Sequence, residues 1–340
     1  MSDLVFLAQA GQSVVDQWTS NFWLAAIVKT VGVLGFFLVV PLAVGYMEHK
    51  VLAHMQARLG PMEAGGFHGW AQLVADGVKF IQKEDVVPAA ADRMVFSLAP
   101  GVALVPYIVV LAVLPLGSEV FALNLDVGIF FVMAVAGVGV LGVLMAGWAS
   151  ANKFSLMGAL RAAAQLIAYE LPLVLASAGV VMLAGSLSLI DIVEAQREIW
   201  YVVPLFPLFV IFMIASLAEL TRPPFDMPIA DSEIIFGAYT EYSGLKFAFF
   251  LLSEYGGIVV LSGIASVLFL GGYLPLPGIP IPGPLMTMGK IFALSFVVIW
   301  LRATYPRLRE DQLQRFAWVA LVPLSLVWIL GVAFVKVAVD

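Results

Sequence analysis

The sequence contains no cysteine in 340 residues. That excludes disulfides, cysteine-held iron–sulfur clusters and thiolate zinc sites. Any electron carrier must diffuse in or belong to another chain. Charge is also scarce: Asp, Glu, Lys and Arg make up 12% of the chain, against roughly 25% in a soluble domain. That is too little to cover a water-facing surface of ordinary size. With 62% hydrophobic residues, lipid must be the solvent for much of the chain. Histidine occurs three times, as His49, His54 and His68. The first two are five residues apart and so point to different sides of a helix, and no metal site is expected. The start, MSDLVFLAQAGQSVVDQW, has an acid at Asp3 and no basic flank. A cleaved leader wants a basic start, so these residues read as an exported N-terminal tail. No nucleic-acid partner is expected.

What is abundant is the long apolar run. A membrane-spanning helix needs about 20 apolar residues. Eight such stretches lie at about 22–45, 94–115, 127–147, 162–184, 201–219, 246–270, 289–304 and 317–338. Runs such as VMAVAGVGVLGVLMAGW do not alternate as barrel strands do. Helices satisfy every backbone group within the segment, as lipid demands. The fold class is therefore an all-α integral membrane protein: one polytopic domain over 1–340 with about eight transmembrane helices. The odd-numbered loops hold thirteen of the 17 Lys and Arg. The preference of basic residues for the cytoplasmic side places those loops inside and both termini outside.

Two cytoplasmic loops depart from ordinary connectors. The first, 46–93, contains FHGWAQLVADGVKFIQK at 67–83. Phe67, Trp70, Leu73, Val74, Val78 and Ile81 recur at three- and four-residue steps, which predicts an amphipathic helix. It suits a headgroup-level anchor and also the wall of a lipid-accessible cavity. The second, 218–245, reads AELTRPPFDMPIADSEIIFGAYTEYSGL and holds Glu219, Asp226, Asp231, Glu233 and Glu241, with Arg222 as its one base. Pro223 and Pro224 break the helix here. Irregular backbone near a membrane is tolerated against protein or a water-filled cavity. The apolar Phe225, Ile234, Ile235 and Phe236 argue against a merely solvated loop. On the outside, LPLPGIPIPGP at 274–284 predicts a stiff extended loop. LSLIDIVEAQREIW at 187–200 predicts a short surface helix with a Ser188–Asp191 capping box.

Two acids interrupt apolar spans: Glu170 in RAAAQLIAYELPLVLASAG and Glu254 in KFAFFLLSEYGGIVVLSG. An acid at such depth costs several kcal/mol; it is expected to face the bundle interior and mark a proton path. Arg161, Gln165 and Tyr169 form a polar stripe at i, i+4 and i+8, with Glu170 beside it. These features fit a transporter, a channel or an energy-coupling subunit.

The blocks MEHKVL (47–52), MQARLGP (55–61), ADGVKFIQKEDVVP (75–88), GWASANKFSLMGALRAAAQLIAYE (147–170), AELTRPPFD…TEYSG (218–244) and YPRLREDQL (305–313) together resemble the H subunit (subunit 1) of bacterial complex I, the proton-translocating NADH:quinone oxidoreductase. The likeness runs from about 46 to about 316. It implies eight transmembrane helices with the amphipathic helix, in a bacterial plasma membrane. It implies a subunit inactive alone, with quinone as substrate and no cluster or covalent cofactor of its own. Implied partners are hydrophilic-arm subunits, one carrying the terminal iron–sulfur cluster, and antiporter-like and small membrane subunits. For proton coupling the resemblance points to Glu170, Glu219, Glu254, Glu241, Asp231 and Glu233. For the quinone it points to Glu48, His49, Arg58, Asp76, Phe80, Arg222, Phe225 and Asp226. Three departures stand out. His49 occupies a place where the family usually has arginine. The loop GPMEAGGFHGW is one residue longer than usual. Ile229 stands where another acid is common. The alternatives are the related subunit of a ferredoxin-linked membrane-bound hydrogenase and a stand-alone secondary transporter, although no internal repeat supports the latter.

Overall fold

The computed structural model describes residues 13–19, 21–276 and 281–339, with no side-chain description for 231, 232 and 339. Among the described residues the regular structure is entirely helical. We number α1 Val14–Trp18, α2 Phe22–Met55, α3 Gln72–Gln82, α4 Arg93–Val113, α5 Gly128–Ala149, α6 Lys153–Ala184, α7 Leu189–Glu194, α8 Phe206–Glu219, α9 Asp231–Ile234, α10 Gly244–Phe269, α11 Gly283–Thr304, α12 Glu310–Arg315 and α13 Val322–Val339. Among the described residues, seven helices are long and apolar enough to cross a membrane: α2, α4, α5, α6, α10, α11 and the continuous run Glu310–Ala338. The expected fifth span contains a helix of only 14 residues, α8. At 1.5 Å per residue it is about 21 Å long, short of the roughly 30 Å apolar layer.

The ends of the other helices differ from the apolar runs in an informative way. The 34 residues of α2 reach about 51 Å, so Glu48 and its neighbours ride on the same rigid rod as the span. The 32-residue α6 starts nine residues before its apolar stretch, because Asn152 caps it by accepting from the Phe154 N–H at 2.9 Å. The last span widens into a π turn at Phe316–Leu321. Pro323 follows it; proline has no N–H and its ring crowds the preceding turn.

The core is organised around α10, which packs against α2, α3, α4, α6, α7, α8 and α11. Its residues from Gly256 to Phe269 are continuously buried. With lipid outside, packing rather than hydrophobic exclusion holds spans together, and small residues permit close approach. A Cβ on Gly142 of α5 would overlap the Ala103 backbone nitrogen of α4. One on Gly158 of α6 would meet the Ala238 nitrogen of the acidic loop at 2.6 Å.

The amphipathic helix forms as α3, preceded by a 3-10 turn at Phe67–Gly69. Leu73 packs against Gly45 of α2, and Phe80 lies 5.8 Å from the Phe247 ring. Phe67, Trp70, Val74, Val78 and Ile81 stay exposed, so the described residues do not cover that stripe. On the outer side α7 forms as expected, but half of its capping box is missing. Ser188 accepts from the Asp191 N–H at 3.4 Å, while the Asp191 carboxylate takes the Ser186 hydroxyl at 2.9 Å. The proline-rich stretch lies partly outside the described residues, as does most of the N-terminal tail.

Candidate functional site

The polar stripe of α6 holds the acidic loop in place. Arg161 NH1 pairs with Glu233 Oε2 at 2.6 Å, and its Nε lies 3.6 Å from Glu310 Oε2. Gln165 donates from one amide nitrogen to the carbonyls of Ala218 (2.7 Å) and Phe225 (2.6 Å). The Tyr169 hydroxyl donates to the Leu313 carbonyl at 3.0 Å. These carbonyls flank the proline break and the π turn, where helix geometry leaves acceptors without partners. Around them Asp226 receives a two-pronged pair from Arg307, at 2.7 and 2.8 Å. Asn152 donates to Glu241 at 2.5 Å. The loop is therefore tethered to α6 and to the linker before α12, while α6 in turn holds α12, so it is not freely solvated.

Beneath the loop runs a line of alternating charge. Arg302 of α11 pairs with Glu48 of α2, Glu48 pairs with Arg222, and Arg222 Nε lies 2.8 Å from Glu254 Oε1 of α10. Glu48 and Arg222 are 2% and 1% exposed. Two acids and two bases leave the line electrically neutral, which makes its burial tolerable. Burial by itself favours a neutral guanidinium. The charges of Glu254 and then Glu48 outweigh that and raise Arg222 above the ordinary arginine range. Its guanidinium also sits 4.9 Å over the Tyr255 ring. The Nε–H has no aligned hydrogen bond, so its contact with Glu254 is electrostatic.

Glu254 and Glu219 both line a small cavity between α4, α5, α8 and α10. Tyr107, Thr221, Tyr239 and Ser253 supply its other polar groups. Glu170 does not line it. In the single chain Glu170 is exposed on α6, and its Oε1 occupies space that a Cβ on Gly137 would approach within 2.8 Å. Its charge still acts on Glu219. The expectation of an interior position is corrected for this acid: its carboxylate reaches toward Gly137 of α5 while the residue as a whole stays exposed.

The remaining residues divide by place. His49 lies near the C-terminal end of α2 and Arg58 just beyond it; Arg58 is exposed and donates from Nε to Gln56 at 2.8 Å. Asp76 accepts from Gln72 at 3.0 Å and pairs with Lys79 at 3.4 Å on α3. Phe225 is 4% exposed and packs edge-on to Tyr169 at 5.3 Å, which makes it part of the core. The Asp231 side chain lies outside the described residues. Sequence reasoning missed Arg302, Arg307, Tyr107 and Tyr239. A signal existed for Arg302: Ile291, Ser295, Val298 and Ile299 are on the buried face of α11, and the same three- and four-residue steps reach 302.

A family model for NADH dehydrogenase matches residues 28–333. The H subunit of the NADH-quinone oxidoreductase of Geobacillus kaustophilus is 47% identical over 290 residues, covering 85% of this chain and 87% of that one. Its counterpart in Geobacillus thermodenitrificans is 46% identical over 323 residues, covering 94% and 96%. The counterpart in Brevibacillus brevis is 46% identical over 322 residues, covering 94% of each.

Proposed function

The chain belongs to the NADH dehydrogenase family, as a multi-pass membrane subunit of a NADH-quinone oxidoreductase, and we propose that it lines the quinone site and passes the charge change of quinone reduction to buried carboxylates. Neither a ferredoxin-linked hydrogenase nor a free transporter is favoured by relatives of this kind. On this proposal the chain sits in a bacterial plasma membrane. Its cytoplasmic loops meet hydrophilic-arm subunits, one of which carries the terminal iron–sulfur cluster. Its lipid-side faces meet small and antiporter-like membrane subunits. With no cysteine to hold a cluster, it acts only within the assembly.

The observation that carries the reading is the line Arg302–Glu48–Arg222–Glu254, which joins the cytoplasmic rim to the wall of the cavity holding Glu219. A partner's cluster delivers two electrons to quinone at the rim, and the quinone takes up two protons. The transient negative charge draws on the two arginines in a setting of low dielectric. Arg222 is shared between two acids, so any shift of its guanidinium toward Glu48 weakens its hold on Glu254. Glu254 then binds a proton more readily. Glu48, His49, Arg58, Asp76, Phe80, Arg222 and Asp226 are assigned to the quinone side. Glu254, Glu219 and Glu170 are assigned to the proton side, with Glu233 and Glu241 reporting loop position and Asp231 retained with them. Phe225 is assigned a packing role.

The test uses the whole complex in inside-out membrane vesicles. Glu254→Gln is expected to retain most quinone reduction and to lose most proton pumping, while Arg222→Met loses both. Full pumping in both variants overturns the reading. Purification of the tagged chain is expected to bring iron–sulfur subunits with it, and a chain that purifies alone and active removes the assignment.

A further inference from the structure

The cavity between Glu254 and Glu219 contains two tyrosines that the charge line does not use. Tyr107 of α4 and Tyr239 of the acidic loop both border it. Elsewhere, Tyr46, Tyr169, Tyr242 and Tyr273 each donate their hydroxyl to a named acceptor: His68 O, Leu313 O, Phe96 O and Glu194. Among the described residues, the hydroxyls of Tyr107 and Tyr239 make no hydrogen bond to protein. Ser253, also on the wall, is committed to the Ala103 carbonyl at 3.0 Å. Thr221 stands on the same turn as Glu219 and adds no span between the acids. A hydroxyl that borders a cavity without a protein partner is satisfied by water, and the cavity has room for a few molecules. Its other walls are largely apolar, including Ala136, Val140, Val143 and Leu166.

Geometry orders these groups. Tyr107, Tyr239, Glu219 and Glu254 line one cavity. Among the described residues Glu254 pairs with Arg222 and makes no hydrogen bond to Glu219. A proton moving from Glu254 to Glu219 therefore needs an intermediate carrier. Burial, and then the charge of Glu254, push Tyr239 above the usual phenol range, so it stays protonated and offers both an O–H and a lone pair.

We propose that Tyr107 and Tyr239, bridged by cavity water, are the hydroxyl relay that carries protons between Glu254 and Glu219. The proposal rests on the function given above and adds the carriers to it. In each transfer the O–H bond at Glu254 breaks. Tyr239 accepts a proton through water on its oxygen while releasing its own toward Tyr107. Tyr107 does the same, and an O–H bond forms at Glu219. Both phenols end neutral, nothing is oxidised or reduced, and one proton has moved. The rings themselves are held by packing: Tyr239 lies 4.5 Å from the Phe250 ring, and Tyr107 lies against Gly257.

Phenylalanine keeps that packing and removes only the hydroxyl. In the intact complex, Tyr107→Phe and Tyr239→Phe are expected to keep quinone KM and uncoupled electron transfer within about twofold. Pumped protons per electron should fall severalfold in the double variant and less in each single variant. A merely structural role moves stability and electron transfer, not that ratio. A double variant that pumps normally while Glu219→Gln does not overturns the relay and leaves the carboxylate reading standing. Normal pumping in Glu219→Gln and Glu254→Gln overturns both. If the double variant does not assemble, infrared difference spectra of the wild-type complex with ring-labelled tyrosine decide the matter. Quinone reduction is expected to shift tyrosine C–O bands that vanish in the single variants, and spectra without such bands overturn the proposal.

Discussion

Glu48 and Arg302 are separated by 254 positions in the chain yet form an ion pair, which joins the C-terminal parts of α2 and α11. Glu48 faces a second cation, Arg222, on its other oxygen. Its carboxylate is thus the joint between the rim and the interior.

Removal of that joint is the first prediction. Glu48→Ala leaves two guanidiniums without their shared anion. Breaking one side of a buried pair costs about 3–5 kcal/mol. Thermal melting of the solubilised complex is expected to drop by several degrees, with quinone reduction reduced at least tenfold. Arg302→Met is expected to cost less, because Arg302 is 36% exposed on its side chain and Glu48 keeps Arg222. Equal melting of both variants and the parent contradicts the arrangement.

Gly237 supplies a steric prediction. It sits at φ +53°, and a Cβ there would overlap the Pro228 carbonyl oxygen. Gly237→Ala must displace the loop that carries Tyr239 and Glu233, and assembled complex is expected to be scarce. Gly32→Ala is the control, since nothing lies within 4 Å of its added methyl. Native gel analysis of both compares them directly.

The Asp226–Arg307 pair tests whether the loop is tethered. Asp226→Asn and Arg307→Gln, alone and together, form a double-mutant cycle. A coupling of roughly 0.5–3 kcal/mol is expected for residues in direct contact, read from quinone-reductase activity or melting. Additive losses contradict the tether.

On the outer face Glu194 bonds Arg197 and accepts from Tyr273 at 2.7 Å. Burial alone would raise its pKa, but these two partners outweigh burial and lower it. A lowered carboxylate stabilises the fold fully above its unfolded value, near 4.3, and loses that contribution as pH falls through the folded value. The melting difference between parent and Glu194→Gln is therefore expected to be constant from pH 7 to about 5 and to close below about 4. A difference that widens on acidification reverses the sign and refutes the pairing.

The helical spans were legible because lipid leaves few ways to satisfy a backbone, and because apolar runs are long. Glu254 was legible as an acid where acids are costly, and Glu219 as one acid of an unusual loop. The division of labour among polar residues was not. Arg161, Gln165 and Tyr169 read as a polar stripe beside a proton path, yet they clamp loops. Phe225, which the resemblance points to as a quinone contact, is packed into the core against Tyr169. Periodicity shows which residues share a face but not which partner that face meets. Glu170 shows the same limit from the other side, since it stands exposed on α6 rather than inside the bundle.

Local pattern alone establishes the solvent, the helical class and the family. Each follows from composition, run length or ordered local blocks. Three-dimensional packing was needed to bring Glu48 between Arg222 and Arg302, to carry Arg222 to Glu254, and to stand two tyrosines between the acids. Those pairings join residues up to 254 positions apart. Such contacts arise from how helices cross, which no local pattern encodes.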